Sequence, residues 1–224
     1  MPPDMPPVPP LDMPAIIQQC APNVGFDTMK AIVHVESKGR PHVIGYKVAH
    51  ANGVYTLTQQ PKDKAEAVSW ARWMLDNGYR FDAGPAQVNS TNFRAYGLTA
   101  ETVFEPCTNI KAGAAILTDA YQAASRQYGP GQQALLAAIS AYNSGNFVTG
   151  FRNGYVQKVA AAAGVPAAQA LPASAPPLKP TGAAPKPAAK RQAAPTGADA
   201  SSAADSTTER REGLIRVFMA SVLP

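Results

Sequence analysis

The chain has 224 residues, a net charge of +5, a pI of about 9.2 and only two cysteines. That length admits one domain of roughly 150 residues with a tail, or two small domains. No dense Lys/Arg run interleaves with aromatics and no apolar run is long enough to span a membrane, so neither nucleic acid nor an integral membrane protein is indicated.

Residues 1–14 form a Pro-rich segment with neither a basic n-region nor an apolar h-region, so no export signal of the usual kind is legible. Trp70, Trp73 and all eight tyrosines lie between Tyr46 and Tyr155, which makes residues 15–163 the expected folded domain. Within it, Met29, Ile32 and Val33 keep the i, i+3, i+4 rhythm of a buried helical face, and the i+7 position holds Glu36. Asp27 reads as the N-cap and Gly39 as the stop. A carboxylate in that last turn loses hydration on its protein side and meets the negative helix end, and both effects raise its pKa. Acids that keep a proton near neutral pH are the general acids used to break glycosidic bonds. The plain alternative is a Glu that turns out to solvent as the helix frays.

Two β-branched and aromatic runs around Asn52-Gly53 predict a hairpin between Val43 and Gln59. Lys62 to Asn77 reads as an amphipathic helix with Ala65, Val68, Trp73 and Leu75 among its apolar positions, ended by Gly78. Phe81 to Gly97 is short, irregular and polar, and Thr99 to Phe104 reads as a single helical turn. Pro106 opens a long Ala-rich helix to about Tyr128, broken by Gly129-Pro130-Gly131. Gln132 to Asn143 follows, with Leu135, Ile139 and Tyr142 on one stripe. Residues 164–208 are an Ala/Pro-rich linker that cannot bury enough surface to order itself, and 209–224 read as a short amphipathic segment suited to docking or to a membrane surface.

Cys20 and Cys107 stand at opposite ends of the domain. They are either two unpaired thiols or a staple worth roughly 4–5 kcal/mol in the chain-entropy model; their placement at element ends favours the disulfide, and with it an oxidising compartment. His34, His42 and His50 fit no metal spacing, so no metal site is expected.

Three polar clusters coincide with element ends: Glu36-Ser37-x-Gly39, Gly84-Pro-Ala-Gln87-Val-Asn89 and Ala141-Tyr142-Asn143-Ser-Gly145. Each is weak alone; their order and spacing together are specific. They resemble the catalytic motifs of the soluble lytic transglycosylase superfamily, which shares a lysozyme-like fold with goose-type lysozymes. Cys20-Ala-Pro, the hairpin before Gln59-Gln-Pro61, Phe81-Asp-Ala-Gly-Pro-Ala-Gln-Val-Asn89, Cys107-Thr-Asn-Ile-Lys-Ala-Gly113 and Ser140-Ala-Tyr-Asn-Ser-Gly-Asn-Phe147 further resemble the peptidoglycan-cleaving subunits of VirB-type IV secretion systems.

The resemblance covers about Ala15 to Val159. It departs at Pro85-Ala86, where the family carries Leu-Met or Leu-Gly, a change expected to alter how the sugar packs.

The fold so implied is mainly α (α+β), a lysozyme-like helical domain with a small β-hairpin and a disordered tail. The activity implied is cleavage of the β-1,4 bond between N-acetylmuramic acid and N-acetylglucosamine, leaving 1,6-anhydromuramyl ends and opening the wall for a secretion or conjugation apparatus. Glu36 would be the acid and then the base. Ser37, Gln87, Asn89, Tyr142 and Asn143 would bind substrate or brace the acid, with the Tyr142 hydroxyl near Glu36. No cofactor is implied. Glycan strands, apparatus components reached through the tail and a peripheral membrane contact are the implied partners, in the periplasm or envelope. Two alternatives stay open: a hydrolytic muramidase with Asp82 as second carboxylate, and a non-catalytic wall-binding assembly protein.

Overall fold

Asp12 accepts a hydrogen bond from the Ala15 amide and so caps helix α1 (Met13–Cys20), whose Pro14 occupies a first-turn position that needs no amide donor. The computed structural model describes residues 11–50 and 53–165, the side chains of 48–50 and 53–55 excepted. Helix α2 (Phe26–Ser37) starts from Gly25 rather than Asp27, which lies in the first turn, where its charge suits the positive helix end. It stops at Lys38, in the left-handed region at φ 59°, one residue before the expected Gly39, which is left-handed as well. Met29 and Val33 enter one core cluster and Ala31 and Ile32 another, so α2 runs along the seam between them.

Strand β1 (Ile44–Gly45) precedes a hairpin of β2 (Lys47–His50) and β3 (Gly53–Thr56). His50 pairs with Gly53, so Gly53 lies inside a strand and the connection is Ala51-Asn52, which lies outside the described residues. Helix α3 (Lys64–Asp76), capped by Asp63, buries Ala67, Ala71 and Met74. The predicted stripe is rotated: Ala65 is exposed and Leu75 is 38% exposed.

The segment expected to be irregular contributes β4 (Asp82–Ala83), β5 (Val88–Asn89) and a 3-10 turn at Ser90–Asn92. With β1 these strands form an antiparallel sheet in the order β1-β4-β5. Strands of two residues are shorter than any periodicity window, which is why no alternation is legible there. Ile44, Ala83 and Val88 align across the sheet and are buried; Gly45, Asp82 and Asn89 form the adjacent row, offset by one and so on the other face.

Helix α4 (Pro106–Tyr128) matches its expected limits, and the Cys20–Cys107 disulfide ties its first turn to the end of α1 with Cα atoms 5.4 Å apart. Helix α5 (Gln132–Ser144) is buried on nearly every side, with Leu136 and Ile139 inside and Leu135 only partly so. After it come α6 (Thr149–Arg152) and α7 (Tyr155–Ala162), two helices beyond those expected. Tyr155, Val156, Val159 and Ala160 bury the inner stripe of α7, which packs on α2. Among the described residues no helix is long and apolar enough to cross a membrane. The amphipathic segment 209–224, and the linker from 166 onward, lie outside the described residues.

Candidate active site

The turn Gly84-Pro85-Ala86-Gln87 joins β4 to β5, and every backbone carbonyl from 83 to 86 has a partner. The Ala83 carbonyl accepts from Asn109 Nδ2 at 2.9 Å, and Gly84 from the Gln87 amide at 3.1 Å and its Nε2 at 2.9 Å. Pro85 accepts from Ser37 Oγ at 2.7 Å, and Ala86 from the Tyr142 hydroxyl at 2.6 Å. The Ala86 amide donates to Asn109 Oδ1 at 2.7 Å. Asn109 is 0% exposed, and its Nδ2 also reaches the Val103 carbonyl at 2.8 Å. Each carbonyl buried without a partner would cost about 1–3 kcal/mol, so the side chains answer a demand set by the backbone.

Two small residues make room for this arrangement. A Cβ on Gly113 would come within 2.7 Å of Ala86 Cβ and 2.9 Å of the Tyr142 hydroxyl oxygen. Gly84, at φ 77°, faces the Asn109 amide with no space for a side chain. The residues of the sequence motifs thus hold one turn in register against the ends of α2, α4 and α5.

Ser37 is buried, and its Oγ donates to the Pro85 carbonyl at 2.7 Å, with the Val33 carbonyl beside it at 3.2 Å, and accepts from the Gly39 amide. Gln87 has φ 46°, an uncommon region for a side-chain-bearing residue; its Nε2 bonds the Val43 and Gly84 carbonyls and thereby holds it there. Asn89 caps the 3-10 turn through Oδ1 to Thr91, while its Nδ2 donates to Asp82 Oδ1 at 2.8 Å. Asn143 is exposed and accepts from Asn153 Nδ2 at 2.9 Å, linking the end of α5 to the approach to α7. Of the residues expected around the acid, Ser37, Gln87 and Tyr142 meet at the turn, Asn89 meets Asp82, and Asn143 stands apart at the α5 terminus.

Glu36 lies one helical turn beyond Ile32 and emerges where the two cores meet. Its Oε1 accepts from the Tyr155 hydroxyl, at the first residue of α7. Burial pushes its pKa up from 4.5 to about 7; the Tyr155 hydrogen bond opposes the rise, and the negative charge of Asp82 adds to it. Asp82 is likewise raised, by burial against the bond from Asn89. The pKa values of Tyr142 and Tyr155 are both pushed upward, first by burial and then by Glu36, so both hydroxyls keep the proton they donate. Among the described residues neither carboxylate is paired with a cation, since the ion pairs are Lys64–Glu105 and Arg72–Glu101 on the surface of α3. No group of three or more His, Cys, Asp or Glu among the described residues is placed to hold a metal.

A second tyrosine joins the expected one beside Glu36. Tyr142 is close enough to feel Glu36 electrostatically, yet its hydroxyl is spent on Ala86, and the hydrogen bond to Glu36 comes from Tyr155. The helical rhythm of Tyr155, Val156, Val159 and Ala160 after Gly154 was the available signal. Asn109 lies within the Cys107–Gly113 motif, where nothing local in sequence shows the turn that it bonds. Pro85 and Ala86, where the sequence departs from the family pattern, are both buried, Ala86 at 0% exposure against Gly113.

Residues 13–163 match the family model for the transglycosylase SLT domain. The chain belongs to this family. It is 43% identical over 157 residues to the type IV secretion system protein virB1 of Brucella abortus biovar 1 (strain 9-941), an alignment covering 67% of this chain and 63% of that protein. Protein virB1 of Rhizobium radiobacter is 40% identical over 149 residues, covering 66% of this chain and 59% of its own, and that of Agrobacterium fabrum (strain C58 / ATCC 33970) is 39% identical over 147 residues, covering 65% and 57%. The chain thus spans under two thirds of the length of these curated relatives. No solved structure matches it significantly. The SLT match runs from the first residue of α1 to one residue beyond α7, so it takes in Glu36, Asp82, the clamped turn and Tyr155.

Proposed function

We propose that this chain is a peptidoglycan lytic transglycosylase serving a type IV secretion or conjugation apparatus. The observation that carries the reading is Glu36, a desolvated carboxyl with a pKa of about 7 held by Tyr155 in an SLT-family domain. Such a group is protonated in a useful fraction near neutral pH, and once ionised it is still a competent base. Glu36 gives its proton to the glycosidic oxygen between N-acetylmuramic acid and N-acetylglucosamine, and the bonding pair leaves with that oxygen. The C6 hydroxyl of the same muramyl residue closes on the anomeric carbon and returns its proton to Glu36. The product is a 1,6-anhydromuramyl end, and no water is consumed. Tyr155 orients the acid, while Ser37, Gln87, Asn109 and Tyr142 hold the floor of the site.

Asp82 supports a second reading, hydrolysis with water positioned by this carboxylate. Mass spectrometry of digested peptidoglycan separates the two: anhydro ends support transglycosylation, and reducing ends one water heavier support the hydrolase. Absence of any product leaves a non-catalytic wall-binding protein.

The secretion role draws on the likeness to proteins named for type IV secretion, and in this reading the work is done in the periplasm or envelope. In the same reading, residues 15–163 act as the enzyme, 164–208 as a tether, and 209–224 as the segment that contacts the apparatus or membrane. A tether raises the local concentration of enzyme near its partner. Deletion of residues 164–224 then spares wall cleavage and reduces recruitment; normal recruitment of the truncated protein would remove the tether.

A further inference from the structure

Asp82 is set in place with as much care as Glu36, yet nothing in the one-carboxylate scheme uses it. The β1-β4-β5 pairing aligns it between Gly45 and Asn89, on the sheet face opposite the buried row Ile44, Ala83 and Val88. Asn89 holds its Oδ1 at 2.8 Å, and Asn89 is itself fixed by two bonds from Thr91. Oδ2 has no protein hydrogen-bond donor among the described residues. Its strand neighbour Gly45 adds no side chain there: a Cβ at that position would stand 3.7 Å from Oδ2 and 2.5 Å from Gln87 Oε1. The groups that face the pair are the Tyr155 hydroxyl from α7, the Tyr142 hydroxyl from α5 and the Gln87 amide from the turn, none of them a cation. The Ser37 Oγ bond to the Pro85 carbonyl at 2.7 Å fixes the Glu36 end of α2 to the turn that follows Asp82, and the negative charge of Asp82 opposes ionisation of both Glu36 and Tyr142.

We infer that Asp82 is the electrostatic partner of Glu36, an ionised carboxylate that keeps the proton on Glu36 until the sugar oxygen takes it and offsets the positive charge that then builds on the anomeric carbon. This rests on the proposed transglycosylase reading and deepens it. Asp82 forms and breaks no bond; the proton moves from Glu36 to the leaving oxygen and returns from the C6 hydroxyl. A preorganised charge aimed at developing charge in a water-poor site is among the strongest devices available to an enzyme. The role also differs from that of a water-activating base, because it leaves the anhydro product unchanged.

The test is Asp82→Asn, which fills the same space and still offers an oxygen to Asn89. Glu36 is followed by carbon-detected NMR titration of its labelled carboxyl, and turnover of purified peptidoglycan is followed across pH. Removing a negative charge favours ionisation of Glu36, so its titration midpoint falls and the alkaline limb of kcat moves to lower pH. kcat drops roughly tenfold to a hundredfold, one to two factors of ten in rate, and the thermal midpoint holds. An unmoved Glu36 titration overturns the inference, as does a rate loss accompanied by unfolding with an unmoved limb. If the wild-type chain releases no anhydro product, the transglycosylase reading fails by itself, while the titration still decides whether Asp82 controls the Glu36 proton.

Discussion

The turn at 84–87 and the carboxyl pair beside it solve opposite problems within a few residues of each other. At the turn each carbonyl from Ala83 to Ala86 is matched by a donor, from Asn109, Gln87, Ser37 and Tyr142 in chain order. Glu36 and Asp82 receive one side-chain donor each, Tyr155 and Asn89, and no cation among the described residues. Saturated hydrogen bonding makes a rigid frame; sparse hydrogen bonding leaves a carboxyl ready to exchange its proton. The difference teaches where to look for chemistry in this fold. The motif residues richest in hydrogen bonds brace the backbone, and the poorly satisfied acids carry the reactivity.

Glu36→Gln tests the reactive half and has the largest expected effect. The Gln fills the same volume and accepts from Tyr155, but has no proton to give. Product release should fall by roughly 10²–10⁴, the usual share of general acid–base catalysis. The same change should stabilise the fold at alkaline pH. Because the folded pKa of about 7 exceeds the ordinary 4.5, the wild-type chain loses stability as pH rises between those values, on the order of 3 kcal/mol in all. The variant and wild type should unfold alike at pH 4, with the variant melting higher at pH 8. Equal melting at both values would mean that Glu36 is solvated.

The frame is tested without touching either acid. Replacing both Cys20 and Cys107 with serine removes a cross-link of sequence separation 87, an expected loss of roughly 4–5 kcal/mol in the chain-entropy model. Urea unfolding reads it directly, and a loss under about 1 kcal/mol would mean that the open chain is already compact. Asn109→Ala leaves the Ala86 amide and the Ala83 and Val103 carbonyls without their partner, so a loss of about 2–4 kcal/mol is expected. In contrast to Glu36→Gln, the Asn109 variant should keep its pH profile while losing rate through looser geometry. A moved profile would mean that the frame and the acid are one unit.

The same division explains what the sequence made legible. The Glu36 position followed from the spacing of Met29, Ile32 and Val33, because helical rhythm is local and survives in the chain order. The limits of α4 followed from Pro106 and Gly129 for the same reason. Asp82 was visible as a residue, but its partners were hidden in two-residue strands that exist only through pairing with distant chain. The bonds that Asn109 and Ser37 make were not legible, since what they bond is a turn far away in sequence. The sequence pointed to Tyr142 and not to Tyr155, as which hydroxyl bonds Glu36 depends on how α7 packs on α2.

Tyr155→Phe is the smallest and finest probe of the contrast. The hydroxyl stabilises the ionised form of Glu36, so its bond holds the pKa down against burial. Phenylalanine keeps the ring packed in the core formed by Ile32, Ile139 and Val156 and removes only the donor. Glu36 should then hold its proton to higher pH, moving the alkaline limb upward, the opposite sign to Asp82→Asn. Below pH 6 the variant should be slower by up to about tenfold, the worth of one hydrogen bond that orients the acid. At higher pH the deficit should shrink, because a larger fraction of the variant remains protonated. Rate profiles of the two variants and wild type, measured on one peptidoglycan preparation, check both signs together. If both limbs moved the same way, or neither moved, proton retention at Glu36 would not be set by the balance between Tyr155 and Asp82.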